Sequence, residues 1–480
     1  MKEIKIHNSH NTKIVATLGP ASTDKKTLLE LAKAGVNIFR LNFSHGTHKM
    51  HGETIDTIMQ LKKEYGLTVG ILADLQGPKL RVGLMENDGM DINEGDVLTF
   101  VNKQCHGNMK QIYMSYQNFA QDVSVGEQVL IDDGKLVLKV IESNGVDQVK
   151  LKVLFGGRLS SNKGVNLPQT KISLPSLTKK DLEDLEYILT QPVNWIALSF
   201  VRKAQDIKEL KSKISAAGHF AKVIAKIEKP EAILRIKEII KATDAVMVAR
   251  GDLGVEVPME QLPSIQKQII RRCIQRAKPV IVATQMMESM ITNPSPTRAE
   301  ITDVANAVLD GADALMLSGE TSVGKHPVLV IEAMNKIVEE AEKNYEMQSK
   351  RPKPNPDSAT FYSDTICLVA PKVADSINAK AICGMTVSGY TAFKISSYRP
   401  KSKICIFSDQ EHLLSTLSLV WGVKCFEYNK FTTTDDTISD ITQILKDHGI
   451  VEKGDTIVNT TSMPLKSKAR TNMMKITVVD

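Results

Sequence analysis

Eight short apolar runs alternate with helical patterns between residue 12 and about residue 345 of the 480-residue chain. Each run is nearly continuous in Val, Ile and Leu, as expected for parallel strands that are buried on both faces. The runs are KIVATLG (from Lys13), NIFRLNF (from Asn37), TVGILADL (from Thr68), WIALSF (from Trp195), KVIAKIE (from Lys222), AVMVARG (from Ala245), VIVATQM (from Val280) and ALMLSG (from Ala314). The segments 24–35, 237–244 and 297–311 are predicted helices between them. Eight strand–helix units predict a (β/α)8 barrel, and the alternative is an open doubly wound sheet.

The interval between the third and fourth runs spans about 120 residues, which is far longer than an ordinary loop. Segments such as EQVLIDDGKLVLKVIES (from Glu127) and DQVKLKVLF (from Asp147) alternate polar with apolar residues, which predicts antiparallel strands. Asp133-Gly134 predicts a two-residue hairpin turn. Residues 78–174 are therefore predicted to form an inserted, β-barrel-like domain. Because it leaves the barrel after the third strand, this domain can act as a lid.

The pattern changes again after residue 345, where RPKPNPD (from Arg351) is a proline-rich linker. Apolar segments then resume in CLVAPKVADSI (from Cys367), KAICGMTVSG (from Lys380), KICIFSD (from Lys403), GVKCFEY (from Gly422) and DTIVNT (from Asp455). We therefore predict a doubly wound α/β domain at residues 346–480, with the barrel at residues 1–77 and 175–345.

Composition excludes several classes of protein. Sixty-one basic residues face 55 acidic ones, so the net charge is only +6, and the charges are interspersed rather than clustered as in a nucleic-acid-binding module. The six cysteines form no C-x-x-C pair, which argues against a zinc site or a disulfide framework. Neither a signal peptide nor an apolar run of about 18 residues is present. These features predict a cytoplasmic protein without membrane or nucleic-acid partners.

The predicted strands end in polar residues, and barrel enzymes carry their working groups at these ends. Lys226 and Glu228 end the fifth strand on one face, and Asp252 follows the sixth. A lone Lys–Glu pair can simply satisfy itself structurally. However, seven strands end in polar groups, and burying so many without use is costly. Two carboxylates suit Mg²⁺, which completes its coordination with substrate oxygens and water. Beside them, Lys226 suits phosphoryl transfer or enolate chemistry.

Several longer motifs resemble the pyruvate kinase family. They are TKIVATLGPAS (from Thr12), RLNFSHG (from Arg40), DLQGPKLRVG (from Asp74), KGVNLP (from Lys163), SFVRKAQD (from Ser199), AKIEKPEA (from Ala225), MVARGDLGVE (from Met247), ATQMMESM (from Ala283) and LSGETSVGKHP (from Leu317). The resemblance spans nearly the whole chain in order, including the insert and the final domain. It implies transfer of the phosphoryl group of phosphoenolpyruvate to ADP, giving pyruvate and ATP, as the last step of glycolysis.

The resemblance also implies roles for individual residues at the matching positions. For the substrate, Arg40 would contact the transferred phosphoryl group, Lys226 would stabilise the enolate, Thr284 would lie near the pyruvate moiety and Gly251 would contact the substrate through its backbone. Glu228 and Asp252 would bind Mg²⁺ or Mn²⁺, and a monovalent cation would be bound by Asn42, Ser44 and Asp74. The nucleotide phosphates would be held by His45, Arg81 and Lys163.

One position departs from the potassium-dependent members of the family. Those members carry a Glu where this chain has Lys79, and the bacterial members resemble this variant most closely. Because a fixed ammonium can replace a bound cation, we predict that potassium is dispensable.

The C-terminal domain is predicted to bind a phosphorylated allosteric effector. Thr386, Ser388, Gly389 and Thr391 lie in a loop that follows a strand and resembles the family's effector loop. The segment PLKSKARTN lacks the glycines of many relatives and carries Lys466, Lys468 and Arg470, so a sugar monophosphate, a nucleotide monophosphate and a sugar bisphosphate all remain candidates.

The family resemblance further implies a homotetramer. Two alternative functions stay open: a magnesium-dependent lyase or aldolase acting on a related enolate, and a non-catalytic sugar-phosphate sensor.

Overall fold

The computed structural model describes residue 7 and residues 10–345, 353–430, 433–463 and 470–480. In chain order, the strands are β1 (Lys13–Thr17), β2 (Ile38–Asn42), β3 (Gly70–Asp74), β4 (Leu80–Arg81), β5 (Gly89–Ile92), β6 (Val97–Val101), β7 (Ile112–Tyr113), β8 (Gln128–Ile131), β9 (Leu136–Ser143), β10 (Gln148–Phe155), β11 (Gly157–Ser160), β12 (Gly164–Asn166), β13 (Trp195–Leu198), β14 (Lys222–Ile227), β15 (Ala245–Ala249), β16 (Val280–Ala283), β17 (Ala314–Leu317), β18 (Ala381–Met385), β19 (Lys403–Ser408), β20 (Val423–Glu427), β21 (Thr456–Thr461) and β22 (Met473–Val478).

The α-helices are α1 (Lys25–Ala34), α2 (His48–Tyr65), α3 (Phe119–Asp122), α4 (Lys179–Ile188), α5 (Ala204–Ala216), α6 (Pro230–Leu234), α7 (Ile236–Ala242), α8 (Arg250–Glu256), α9 (Leu262–Gln275), α10 (Arg298–Leu309), α11 (Gly319–Ser322), α12 (Pro327–Lys343), α13 (Phe361–Ser376), α14 (Tyr390–Ser397), α15 (Glu411–Leu417) and α16 (Thr434–Asp447). Short 3₁₀ helices cover Glu86–Asp88, Met259–Gln261 and Glu288–Ile291.

Strands β1, β2, β3 and β13–β17 pair in parallel and close into a barrel, in which β17 returns to β1. All eight predicted barrel strands are confirmed, and the open doubly wound alternative is wrong for this part of the chain. Their apolar residues divide between two buried clusters, one inside the barrel and one beneath the helices. Both faces are thus buried, which explains the nearly continuous apolar runs.

The predicted barrel helices are also present. Helix α1 begins after Asp24, whose side chain accepts a hydrogen bond from the Thr27 N–H, and it ends at Gly35 in a left-handed conformation (φ 115°). A capping box between Thr297 and Glu300 starts α10. These local signals are read directly from the sequence, which is why the helix limits agree closely with the prediction.

The insert between β3 and β13 forms a β domain, which we call the lid. It contains a seven-stranded sheet, ordered β4-β12-β8-β9-β10-β6-β7, and a two-stranded ribbon of β5 and β11. The pairing is antiparallel except between β6 and β7. Its own buried cluster extends from Leu80 to Ile172. The predicted bounds of this domain, 78–174, stay a prediction, as do those of the other two domains.

The predicted hairpin between β8 and β9 is present, but its turn is longer than predicted. Ile131 pairs with Leu136, so four residues form the loop instead of two. Asp132, Asp133 and Gly134 all have positive φ angles of 53°, 55° and 84°. The Asp-Gly signal marked the turn correctly but not its length, because Asp132 also tolerates the left-handed conformation.

The C-terminal domain has the strand order β20-β19-β18-β21-β22, in which only β22 runs antiparallel to its neighbour. Four of the five predicted apolar segments are strands. The first, CLVAPKVADSI, instead lies largely within helix α13, which contains Pro371. Strand β22 was not predicted. No helix in the described part of the chain has the length and apolar character that crossing a membrane requires.

The base of the barrel is sealed by the C-terminal domain. Leu419 is fully buried and joins the cluster inside the barrel. Around it, the Trp195 indole N–H donates to the Thr416 carbonyl at 3.1 Å, and the Lys13 ammonium donates to the Val423 carbonyl at 2.9 Å. The open end of the barrel is therefore the opposite one, where the lid is attached.

We expect Leu419→Ala to lower the free energy of unfolding by about 2–4 kcal/mol, because it leaves a cavity between two packed bodies. Urea unfolding followed by circular dichroism measures this change. Leu84→Ala, at a position that is 50% exposed, is the control and should change stability by less than about 0.5 kcal/mol. Equal effects of the two variants would contradict a sealing role for Leu419.

Candidate active site

The polar ends of β3, β13 and β14 converge at the lid-facing mouth of the barrel. The Lys226 ammonium lies 2.9 Å from Glu228 Oε1 and 3.3 Å from Asp74 Oδ1, and it donates to Ser199 Oγ at 2.8 Å. Glu228 Oε2 accepts the Phe200 N–H at 2.7 Å. Because these contacts join three neighbouring strands, they depend on the pairing of β13 with both β3 and β14.

Arg40 on β2 extends this network. Its Nη2 lies 2.6 Å from Asp74 Oδ2, its Nε donates to the same oxygen at 2.8 Å, and its Nη1 donates to Thr17 Oγ1 at 2.9 Å. Burial alone would raise the pKa of Asp74, but the charges of Lys226 and Arg40 outweigh burial and hold that pKa below its ordinary value. Asp74 is therefore ionised between two cations.

The electrostatics of the site favour an additional cation. Burial would lower the pKa of Lys226, but Asp74 and Glu228 outweigh it, so the pKa is raised and the ammonium stays charged. Burial raises the pKa of Glu228, and the negative charge of Asp252 adds to this rise while Lys226 opposes it. The side chains of Asp74, Glu228 and Asp252 contribute three negative formal charges, and Lys226 and Arg40 contribute two positive ones. These five side chains therefore have a formal charge of −1.

A divalent cation fits this donor set. The two carboxylates of Glu228 and Asp252 are hard oxygen ligands of the type and number that Mg²⁺ takes from a protein. Among the described residues, no group of three or more His, Cys, Asp or Glu side chains is arranged to hold a metal. A magnesium ion here would therefore take its remaining ligands from substrate and water.

Thr284 lies in a strained turn after β16. Thr284 and Gln285 have φ angles of 69° and 54°, which are unusual for non-glycine residues and most of all for a β-branched one. Thr284 Oγ1 accepts the Gly251 N–H at 2.7 Å, which joins the turn to the start of α8. Strain of this kind persists only where the surroundings fix it, and it concentrates at functional sites.

Arg250 holds this turn, although no role was predicted for it. Its Nε donates to the Ala283 carbonyl at 3.3 Å and its Nη2 to the Thr284 carbonyl at 2.8 Å, while its Nη1 pairs with Asp303 at 2.8 Å. Arg250 lies in the motif VARGDLG. Its hydrogen-bond partners, the carbonyls at the end of β16, are distant in sequence and become apparent only in the folded chain.

The three residues predicted to hold nucleotide phosphates lie on both sides of the lid junction. Arg81 on β4 donates to the Asn162 carbonyl at 2.8 Å and pairs in register with Gly164, next to Lys163. Burial and then the positive charges of Arg81, Lys79 and Arg40 lower the pKa of His45. His45 and the lid cations therefore share one positive region.

Lys163 also has a partner that sequence reasoning missed. Its ammonium lies 2.9 Å from Asp132 Oδ1 in the hairpin turn of the lid. This contact lowers the pKa of Asp132 through a hydrogen bond that outweighs burial. The ion pair holds Lys163 within the lid, next to Gly164, which lines a cavity between the lid and Asp252 of the barrel.

The predicted monovalent-cation ligands lie close together. Asn42 and Asp74 are direct partners in the β2–β3 register. Asn42 Oδ1 accepts the Ser44 N–H at 3.1 Å, so this amide oxygen already shapes the turn after β2. Asp74 is paired with Arg40 and Lys226 as described above. Lys79 lies beside Gly164 of the lid, where its Cε would be 3.7 Å from an added Cβ.

The predicted effector loop connects β18 to α14. Thr386 Oγ1 accepts the Gly389 N–H at 2.9 Å, and Gly389 has a φ of 79°. Ser388 is exposed, whereas Thr391 is buried and its hydroxyl lies 2.8 Å from that of Thr471. Arg470 contacts the Ala359 carbonyl. Lys466 and Lys468 lie outside the described residues.

Two family models match the chain. Residues 9–331 match the model "Pyruvate kinase, barrel domain", and residues 364–477 match "Pyruvate kinase, alpha/beta domain". The chain belongs to the pyruvate kinase family. The two matches follow each other in the same order as the barrel and the C-terminal sheet described above.

Full-length relatives agree with this assignment. Pyruvate kinase of Geobacillus stearothermophilus is 42% identical over 477 residues, covering 98% of this chain and 80% of that protein. The Clostridium perfringens enzyme is 40% identical over 472 residues, covering 97% of this chain and 99% of that protein. A pyruvate kinase from Cryptosporidium parvum has a similar structure, with a TM-score of 0.92 and 34% identity over 98% of this chain and 96% of that chain.

These comparisons confirm the predicted family, fold and enzyme class. The alternative, a lyase or aldolase, finds no support in them. Pyruvate kinases are phosphotransferases, and the family generally uses Mg²⁺ and K⁺. The assignment of individual residues to these ions stays a prediction, as does the replacement of the potassium-associated Glu by Lys79.

We expect Arg250→Lys to lower turnover by about tenfold, because a lysine cannot reach the carbonyls of both Ala283 and Thr284 and a displaced Thr284 is badly positioned. Steady-state turnover of the purified variant measures the effect. The exposed Arg276→Lys serves as the control and should leave turnover unchanged. Turnover of Arg250→Lys within about twofold of the wild type would show that Arg250 does not position this turn.

Proposed function

We propose that this mouth transfers the phosphoryl group of phosphoenolpyruvate to ADP, producing pyruvate and ATP. The observation that carries the proposal is the buried Lys226 ammonium between Asp74 and Glu228, at the end of the barrel that faces the lid. Phosphoryl transfer requires mainly positioning and charge neutralisation. The site supplies a fixed cation for the enolate oxygen of pyruvate and a second cation, Arg40, for the phosphoryl group.

Glu228 and Asp252 would hold Mg²⁺ or Mn²⁺, which would supply Lewis-acid stabilisation of the transferred phosphoryl group. The formal charge of −1 on the surrounding side chains supports this assignment. The backbone of Gly251 would contact the substrate next to Asp252. Thr284, whose hydroxyl accepts a hydrogen bond from the Gly251 N–H, would lie near the pyruvate moiety.

The nucleotide would enter from the lid side. His45 on the barrel and Arg81 and Lys163 on the lid would neutralise its phosphates, and Lys163 would exchange Asp132 for the phosphate. A site shared between lid and barrel would bring phosphoenolpyruvate, the phosphoryl donor, and ADP, the acceptor, together when the lid closes. Closure would also exclude water from the phosphoryl transfer. The sensor alternative is disfavoured because Lys226, Glu228 and Asp252 are all present.

Lys226→Met should lower turnover by at least about 100-fold, because it removes a buried charge that stabilises the transition state. ATP formation from phosphoenolpyruvate and ADP, coupled to an indicator reaction, measures both the proposed activity and its loss. Lys241→Met, on the exposed face of α7, is the matched control and should retain full turnover. An inactive wild type would refute the function, and a fully active Lys226→Met would remove Lys226 from the mechanism.

We further propose that Lys79 makes potassium dispensable. The ammonium of Lys79 contributes to the positive charge around His45, beside the strand ends that carry Asn42 and Asp74. A fixed lysine charge at this position replaces the charge that a monovalent cation would contribute.

Activity without monovalent cations should therefore be at least about a tenth of the activity with potassium. Lys79→Glu reverses the local charge and should make the enzyme depend on added potassium. Turnover measured in tetramethylammonium and in potassium buffers tests both statements. Lys110→Glu, at an exposed site of the lid, makes the same charge change and should leave the potassium response unchanged. Activity of the wild type well under a tenth in tetramethylammonium would be the contrary result.

The remaining assignments follow from family membership. We propose that the enzyme acts in glycolysis in the cytoplasm, as a homotetramer, and that the loop containing Thr386, Ser388, Gly389 and Thr391 binds a phosphorylated effector. The exposed Ser388 and the backbone of this loop support anion binding. The buried Thr391 hydroxyl would have to give up its contact with Thr471 to take part.

A further inference from the structure

Helix α8 is attached to different parts of the molecule at its two ends. Its first residues, Arg250 and Gly251, bond to the turn that carries Thr284. Its last residue, Glu256, bonds to Lys229 and to Asn166 of the lid. Asp252 lies between these ends. The short helix therefore connects the lid to the proposed metal and substrate groups.

The contact at Glu256 is buried and charged. Glu256 Oε1 accepts from the Lys229 ammonium at 2.8 Å and from the Asn166 side-chain amide at 2.9 Å, and the side chains of Lys229 and Glu256 are 4% and 1% exposed. Glu256 Oε2 has no hydrogen-bond partner among the described residues. Lys229 directly follows Glu228, so this ion pair also fixes α8 to the strand end that carries the proposed metal ligand.

The contact between Asn166 and Glu256 is distinct from the contacts at the two points where the chain enters and leaves the lid. The Gly77 N–H donates to Asp181 at 3.0 Å where the chain leaves the barrel, and Arg202 contacts the carbonyls of Ile172 and Leu174 where it returns. Asn166 lies on β12, within the lid sheet itself. The hairpin turn of the lid also approaches α8, since an added Cβ at Gly134 would lie 3.7 Å from Val255. The lid therefore meets α8 through its sheet and its hairpin turn, in addition to the contacts that hold the hinges.

We propose that Asn166, Glu256 and Lys229 form a latch that holds the lid in position for the nucleotide. Asn166 is the positioning residue on the lid, and the buried Lys229–Glu256 pair is its fixed counterpart on the barrel. This inference rests on the proposed phosphoryl transfer, because it assigns the latch to the nucleotide step. It is separate from the groups that would touch phosphoenolpyruvate.

The latch has a direct energetic consequence. When the lid moves away, the buried Glu256 carboxylate loses its uncharged donor and keeps only Lys229. A buried acceptor that loses a partner is costly unless water replaces it, and hydrogen bonds to charged groups are stronger than neutral ones. This contact therefore favours the lid position seen here, and with it the positions of Lys163 and Arg81 on the lid.

Asn166→Leu keeps the volume and removes the donor, and Asn166→Asp places a second carboxylate against Glu256. We expect the KM for ADP to rise by about tenfold in Asn166→Leu and by more in Asn166→Asp. The Kd for phosphoenolpyruvate, measured by calorimetry with Mg²⁺ and without ADP, should stay within about twofold of the wild type. Asn93→Leu, at an exposed site of the same domain, is the control.

Hydrogen–deuterium exchange supplies a readout that does not depend on activity. In the Asn166 variants, exchange should increase in the hinge segments 75–79 and 172–176, while the barrel strands stay protected as in the wild type. An unchanged KM for ADP with unchanged hinge exchange would overturn the latch. A parallel rise in the Kd for phosphoenolpyruvate would also overturn it, because Asn166 would then support the barrel site in general. An active wild type in either case leaves the proposed function standing.

Discussion

The buried ion network at the barrel mouth constrains the rest of the site. An ammonium as buried as that of Lys226, with 12% side-chain exposure, is stable only beside carboxylates that compensate for its lost hydration. Asp74 and Glu228 provide this compensation from the two sides, and the ammonium donates a further hydrogen bond to Ser199 Oγ. Three negative charges then gather around two positive ones, since Asp252 and Arg40 join the group. A divalent cation and an anionic substrate complete such a group without leaving a buried charge unpaired.

Parallel strand pairing brings these charges together across the longest insertion in the chain. Strand β13 pairs with β3 although the lid separates them in sequence, and this pairing sets Ala197 opposite Asp74. The lid therefore starts and ends beside the network. Arg81 lies on β4, shortly after the chain leaves the barrel, and Lys163 directly precedes β12, which pairs with β4. The insertion therefore carries positively charged side chains close to its junction with the barrel.

Local patterns sufficed for most of the fold. The eight runs could be identified because their apolar character extends over both faces of each strand, and the helices because Asp24 and Thr297 cap them. Two elements of the C-terminal domain were not specified by these patterns. Pro371 and the apolar residues around it belong to a helix, and β22, MMKITV, pairs only along one edge. Lys226 and Glu228 share a strand face and were predictable as neighbours, but Arg250 and Glu256 bond to partners that only tertiary packing supplies.

Helix α8 shows why such partners matter for function. The helix has only seven residues. They include Gly251, which is hydrogen-bonded to the strained Thr284 turn, the carboxylate of Asp252 and the buried Glu256. A displacement of the lid that breaks the Asn166 contact leaves α8 in place, because the buried Lys229–Glu256 pair and the hydrogen bond to the Thr284 turn hold this helix on the barrel. Helix α8 therefore contacts both the lid and the charge network, and its attachment to the barrel gives Asn166 a fixed partner for positioning the lid.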